Sequence, residues 1–280
     1  MKVIVLVDRH PRSKRLSEAL AVGATKIGWH AEITDEQHTV PRGDLCVSYG
    51  WIPNQETMIA YRRAGSNFLH VDLGYWERKR QQGDYGGNHK VVLNARHPTA
   101  YFRRHRPATR ISGAPLVQPW RRDGRHIVVA GLSAKGAVSI GRNPLSWEHD
   151  IIGRLRKITN RPIVYRPKPS WRDARPIQGT IWSPPEQTIH EALTGAWALV
   201  TMYSNAAIDA LAAGIPVYAE DGVAKAMSIS SLTEIDRPPE LSIKERKQFL
   251  ADVGYCHWTK AEISDGTMFR QFVADGLITQ

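Results

Sequence analysis

Short apolar runs recur along the chain, separated by Gly, Pro or charged clusters. Residues 2–8 (K-V-I-V-L-V-D) are a continuous apolar run that predicts a buried strand. In residues 13–27 the apolar positions Leu16, Ala19, Leu20 and Ala24 repeat at helical spacing. Residues 30–34 predict a second strand, 44–51 (D-L-C-V-S-Y-G-W) a third closed by Gly50, 55–63 a helix, and 67–73 (N-F-L-H-V-D-L) a fourth strand. Strands alternating with helices imply a parallel sheet covered by helices. Residues 74–88 are polar, Gly-rich and aromatic, which predicts a mobile loop. Residues 89–94 then predict a strand, and 96–110 a basic loop.

Residues 111–125 are punctuated by Pro and Gly and read as a linker, after which the pattern restarts. Residues 126–130 (H-I-V-V-A) predict a strand running into the small-residue loop 131–136, with Gly131, Ser133 and Lys135. An amphipathic helix over 147–159, a strand over 162–165, a short strand over 179–182 and a helix over 185–194 follow. Residues 198–219 carry the strongest local signal: an apolar strand, the N-cap residues Ser204 and Asn205, an Ala-rich helix from Ala206, Gly214 as its stop, and an apolar strand from Ile215. Ser242 and Glu245 have capping-box spacing at the head of a helix over 242–254, and a last helix spans 265–275.

A strand, tight turn and helix leave backbone N–H groups and the positive end of a helix dipole at the carboxyl edge of a parallel sheet. A diphosphate suits such a place, and Asp209 in the same helix is positioned to accept from ribose hydroxyls. From spacing alone, an ordinary strand–helix–strand unit with Ser204 as a structural cap is an equal reading.

The segment Ser204-Asn205-x-x-x-Asp209-Ala210-Leu211-x-x-Gly214-x-Pro216-Val217 resembles the donor-binding segment of GT-B glycosyltransferases. Asp209 stands where that family more often has Glu. Arg166-Pro167-Lys168-Pro169 resembles the Arg-Pro-His-Pro or Arg-Pro-Lys-Pro segments of capsule-type and phage glycosyltransferases. The resemblance implies an α/β fold of two Rossmann-like domains facing across a cleft, with C-terminal helices. Residues 1–115 would bind the acceptor, 116–240 the nucleotide-sugar, and 241–280 would pack back on the N-terminal domain. It also implies a donor site built from Gly131, Ser133, Lys135, Arg166, Lys168, Ser204, Asn205, Ala206 and Asp209. No cofactor is expected beyond the nucleotide-sugar co-substrate, a UDP-sugar by preference.

The acceptor side requires a base to take a hydroxyl proton. Asp72 is the first candidate, at the end of a strand and ahead of Tyr75 and Trp76, aromatics able to stack on a base. Asp8 ends the first strand in the same way, and His97 is the third candidate. The plainer alternative for an Asp at a strand end is a turn or cap residue. The sequence has no His-x-x-x-His and no Asp-x-Asp at a strand end, so a metal-independent enzyme is expected, with Arg166, Lys168 and the helix terminus in the metal's place.

Charge changes the picture of the partner. Residues 1–176 carry 31 Lys and Arg against 14 Asp and Glu, and residues 177–280 carry 7 against 13. Such asymmetry points to a polyanion. Arg12, Lys14, Arg103 and Arg104, with Tyr75 and Trp76, are the candidate nucleic-acid contacts. A small basic enzyme of this kind resembles the bacteriophage glycosyltransferases that modify hydroxymethylated pyrimidines in double-stranded DNA. The alternatives are a capsule or other surface glycan as acceptor, or a non-catalytic nucleic-acid-binding protein on a transferase-like scaffold. Cys46 and Cys256 lie in apolar segments without a Cys-x-x-Cys partner, and the chain starts on a strand-like run. Both features, with no apolar run of membrane-spanning length, predict a cytoplasmic protein, in the host cytoplasm if phage-encoded.

Overall fold

The computed structural model describes residues 1–78, 87–98, 105–237 and 241–279. The elements in order are β1 (Lys2–Leu6), α1 (Pro11–Lys26), β2 (His30–Thr34), β3 (Leu45–Tyr49), α2 (Gln55–Arg63), β4 (Asn67–Arg78) and β5 (Gly87–Leu93). Next come β6 (His126–Ala130), α3 (Ala134–Val138), α4 (Ser146–Arg156), β7 (Ile163–Arg166), β8 (Ile181–Trp182), α5 (Ile189–Ala192), β9 (Ala196–Thr201), α6 (Ala206–Ala212) and β10 (Val217–Ala219). The chain closes with α7 (Ile243–Gly254), β11 (His257–Thr259), α8 (Lys260–Ser264) and α9 (Thr267–Ala274). Two compact units result. The first joins Met1–Ala114 to Ala251–Gln280, and the second is Pro115–Leu250.

The first unit is built on a six-stranded sheet in the order β11-β5-β4-β3-β1-β2. β2, β1, β3 and β4 run parallel, whereas β5 runs antiparallel to β4 and β11 antiparallel to β5. Val3–Val5, Cys46 and Val47 are fully buried, as expected for strands covered on both faces. α1 starts at Pro11, where proline costs no intrahelical bond, and His10 Nδ1 caps it by accepting the Arg12 N–H at 3.2 Å. Gly23 lets α1 and α8 approach closely, because a Cβ there would run into the Ile263 carbonyl. Trp29 meets Phe269 edge-on at 5.4 Å.

Two sequence expectations fail here. Residues 74–78 are not loop but the continuation of β4, reached through an irregularity after Leu73. The C-terminal region is also not purely helical, because His257–Thr259 add a strand beside β5. The last helix expected over 265–275 is α9, and ahead of it stands the short α8, opened by a capping box between Thr259 and Glu262.

The second unit is a five-stranded parallel sheet in the order β10-β9-β6-β7-β8. β9 is buried at every position, and β6 at every position but its first. Ile127, Val129, Trp147, Ile151, Leu155, Ile163 and Val200 form its core. α7 begins with the expected capping box, in which the Ser242 N–H donates to Glu245 Oε2 at 2.7 Å and the Glu245 N–H to Ser242 Oγ at 3.1 Å. Among the described residues no helix is long and apolar enough to cross a membrane.

Candidate functional site

In open α/β sheets the residues just beyond the carboxyl ends of parallel strands line the binding crevice. In the first unit this rim carries Asp8, two residues past β1; Tyr49, the last residue of β3; and Asp72, where parallel pairing with β3 ends at Tyr49 opposite Val71. The Asp72 side chain is 41% exposed, while His70, two residues earlier, is completely buried. Lys90 on β5 stands in register with Asp72, is buried, and donates from Nζ to the Arg96 carbonyl at 3.2 Å.

The groups around Asp72 respond to one another. Burial pushes the Tyr49 hydroxyl up to about 12, the negative charges of Asp72 and Asp8 add to it, and a 2.8 Å hydrogen bond from Arg12 Nη1 opposes them. Burial, then the charge of Lys90, brings His70 down to about 3, so its imidazole is neutral at physiological pH. Burial and the Arg12 charge bring His89 down to about 4. Asp72 is thus an accessible carboxylate among buried histidines, a tyrosine and two cations. Neither Tyr49 nor Lys90 was singled out from the sequence. Tyr49 carried the signal that identified Asp72, a polar group closing an apolar strand, whereas Lys90 reaches the site through antiparallel pairing that alternation does not reveal.

The other candidates of this unit are placed differently from expectation. Asp8 serves its own turn, its Oδ1 accepting the His10 N–H at 2.8 Å. His97 is buried and held well below the usual histidine range, first by burial and then by Lys90. Arg12 is half-buried against Tyr49 rather than presented on a surface, while Lys14 is exposed on α1. Tyr75 and Trp76 are not on a loop and cannot stack on a base. Tyr75 is 1% exposed with its N–H on His257 Nε2 at 2.9 Å, and Trp76 donates from Nε1 to the Ser112 carbonyl at 3.1 Å. A long apolar ring in a continuing strand is a core residue, and that correction removes both from the nucleic-acid contacts. Arg103 and Arg104 lie outside the described residues.

In the second unit the turns after β6, β7 and β9 are tied together at the same rim. Thr201 Oγ1 donates to the Ala130 carbonyl at 3.0 Å, the Gly131 N–H to the Arg166 carbonyl at 2.9 Å, and Tyr203 Oη to the Gly136 carbonyl at 3.1 Å. This brings Gly131, Ser133, Lys135, Arg166, Ser204, Asn205 and Ala206 onto one edge, with Asp209 half-buried one turn into α6. Ser133 Oγ caps α3 by accepting the Gly136 N–H at 3.1 Å, and Lys135 is exposed.

Two expectations for this edge are corrected. The turn before α6 leaves fewer amides open than expected, because the Ser204 N–H donates to Thr201 Oγ1 at 3.0 Å and the Ala206 N–H to Ser204 Oγ at 3.2 Å. Asn205 begins α6 without a side-chain cap bond. Arg166 is not an exposed rim cation; it is buried, and its Nη2 donates to the Gln187 carbonyl at 2.8 Å. Lys168 is exposed. A residue that sequence reasoning missed is Glu148 on α4, fully buried, whose Oε1 accepts the Leu132 N–H at 2.6 Å. Its charge gives no signal, since an acid in an amphipathic helix reads as a solvent-facing position. Among the described residues no three His, Cys, Asp or Glu side chains are grouped to hold a metal ion.

The two units are α/β, and part of the candidate residues, Asp8 and Asp72 in the first and the turns after β6, β7 and β9 in the second, stand at the rims where parallel pairing ends. No family model matches the chain, and no curated protein matches it. Solved structures do share the fold. A Thermosulfurimonas dismutans KpsC beta Kdo 2,4 transferase is similar over 90% of this chain and 89% of its own, with 12% identity and a TM-score of 0.52. A beta Kdo 2,7 transferase of KpsC from the same organism is similar over 96% of this chain and 99% of its own, with 11% identity and a TM-score of 0.54.

Proposed function

We propose that the chain is a glycosyltransferase moving a sugar from a nucleotide-activated donor to a hydroxyl acceptor. One observation carries this reading: the fold is shared, over nearly the whole chain, with two transferases named for the sugar acid Kdo. The Ser204–Val217 segment and the Arg166–Pro169 segment support it from the sequence.

In this reading unit 2 binds the donor. In it the leaving phosphate is met by Lys168 and Lys135, both exposed, and Arg166 fixes the loop that carries Lys168. Binding at the α6 turn requires phosphate oxygens to displace Ser204 Oγ from the Ala206 amide. Unit 1 binds the acceptor, and Asp72 takes its hydroxyl proton.

We take the acceptor as the hydroxyl of a capsule or other surface glycan, the reading with which the similarity to the KpsC Kdo transferases is consistent. Double-stranded DNA carrying hydroxymethylated pyrimidines is the second reading, and the excess of 31 cations over 14 anions in residues 1–176 favours it. Incubating the protein with labelled UDP-sugars and a nucleotide-activated sugar acid, with and without chelator, against oligosaccharide, hydroxymethylated DNA and plain DNA tests both. Label on the oligosaccharide is the expected result. Label on hydroxymethylated DNA alone establishes the second reading, and transfer to neither from any donor overturns the enzyme.

A further inference from the structure

His70 and Asp72 lie two apart on β4 and share one face of the sheet. His70 Nδ1 lies 3.2 Å from the Arg96 carbonyl oxygen. A carbonyl only accepts, so Nδ1 carries the ring proton and Nε2 carries a lone pair. Nε2 is buried, has no hydrogen-bond partner, and stands 4.0 Å from Asp72 Oδ2. The ring is fixed, because Trp51 meets it edge-on at 5.4 Å and burial leaves it no room to turn. Since burial and Lys90 keep the imidazole neutral, the 4.0 Å approach is not an ion pair. It is two acceptors facing one another, an arrangement that becomes favourable only when a proton lies between them.

We propose that His70 is a positioning residue for Asp72: its Nε2 accepts the hydrogen bond of the protonated Asp72 carboxyl, which makes Asp72 a stronger base. The inference rests on the glycosyltransferase reading for its role in transfer. In that step the acceptor O–H bond breaks as its oxygen bonds to the sugar's anomeric carbon. The activated nucleotide leaves with the electron pair of the broken bond, and the proton goes to Asp72. Asp72 Oδ1 accepts the Leu73 N–H at 2.8 Å, and about that bond the carboxyl turns its Oδ2 from 4.0 Å to a hydrogen-bond distance of about 2.7 Å from Nε2. The proton later leaves from Asp72 to water.

Other groups act on the pair. Lys90 and Arg96 face His70, and His97 is coupled to it. Tyr49, Tyr75 and His89 face Asp72, with Arg12 and Asp8 behind Tyr49. The cations favour the ionised carboxylate, and His70 Nε2, 4.0 Å from Asp72 Oδ2, supplies a buried neutral acceptor for its protonated state.

The test is a carboxyl carbon-13 NMR titration of Asp72 in the full chain, assigned with Asp72→Asn. His70→Leu should lower its midpoint by about one pH unit, and His70→Gln, which restores an acceptor, should recover part of the shift. The acid limb of kcat/KM should move the same way. An unchanged midpoint in folded His70→Leu overturns the proposal. If that variant does not fold, the wild-type nitrogen-15 signal of His70 Nε2 decides: it must shift as Asp72 protonates, and a flat signal overturns the proposal. Wild-type transfer by Asp72→Asn would instead overturn the catalytic reading, while a shifted midpoint would still establish the coupling.

Discussion

Glu148 Oε1 accepts the backbone N–H of Leu132 at 2.6 Å, and so ties α4 to the first turn beyond β6. Gly131 is required beside this bond: a Cβ there would press on the Tyr165 ring at 2.8 Å and on Glu148 Oε1 at 2.9 Å. A buried acid therefore shapes the loop that leads to Ser133 and Lys135.

Burial pushes the Glu148 carboxyl up from its ordinary value, and the Leu132 N–H offsets this only in part. A carboxyl with a raised folded-state pKa adds stability below its unfolded pKa, and that stability is lost as pH rises through the folded value. Glu148→Gln keeps an acceptor for Leu132 and cannot ionise. Urea denaturation at several pH values should show the variant gaining on the wild type as pH rises above about 4.5. A constant difference between the two would refute the assignment.

Lys168 and Arg166 should separate cleanly. Lys168→Ala should keep the melting temperature and slow turnover on the order of tenfold to a thousandfold, as an exposed cation lost from the leaving phosphate would. Arg166→Ala should lower the melting temperature as well, because the Gln187 carbonyl loses its 2.8 Å donor. Thermal melts and initial rates measured on one preparation distinguish the two.

Gly214 follows α6 at a φ of +73°, and a Cβ there would run into the Pro119 carbonyl. Gly214→Ala should therefore cost about 2–4 kcal/mol, from both strain and overlap. A denaturation midpoint equal to that of the wild type would show that residues 118–121 do not pack there.

Trp76→Phe should remove the bond to the Ser112 carbonyl and destabilise the fold by about 1 kcal/mol. Its effect on the salt dependence of any DNA binding should be nil, because the ring is buried. A flattened salt slope would return Trp76 to the surface.

The legible part of the sequence was its local pattern. The strands of the second sheet and the capping of α7 follow from apolar runs and Ser-x-x-Glu spacing, and each appears near its expected bounds. The illegible part depends on distant contacts. Gly74, Tyr75 and Trp76 look like a loop because they are small or amphipathic, yet the Tyr75 amide is held by His257, 182 residues further on. β11 is three residues long, too short for alternation to declare itself. At the candidate site, Asp72 was picked out as the end of a strand, yet it is the sixth of the twelve residues of β4 and stands where parallel pairing with β3 stops. The sequence placed His70 on the face of Asp72, but it did not show Lys90 or Glu148, because pairing and burial give those side chains their surroundings.

The late arrival of β11 has a consequence for synthesis. The first sheet begins with residues 2–6 but is not complete until residues 257–259 pair with Asn88, His89 and Lys90. Pro115–Leu250, by contrast, is contiguous and has all its strands as soon as it is made. At ordinary elongation rates residues 115–250 take on the order of ten seconds to translate. Throughout that interval the outer edge of β5 offers open backbone donors and acceptors to any passing strand. A translational pause placed between residues 115 and 250 lengthens that exposure and would be expected to raise aggregation rather than yield.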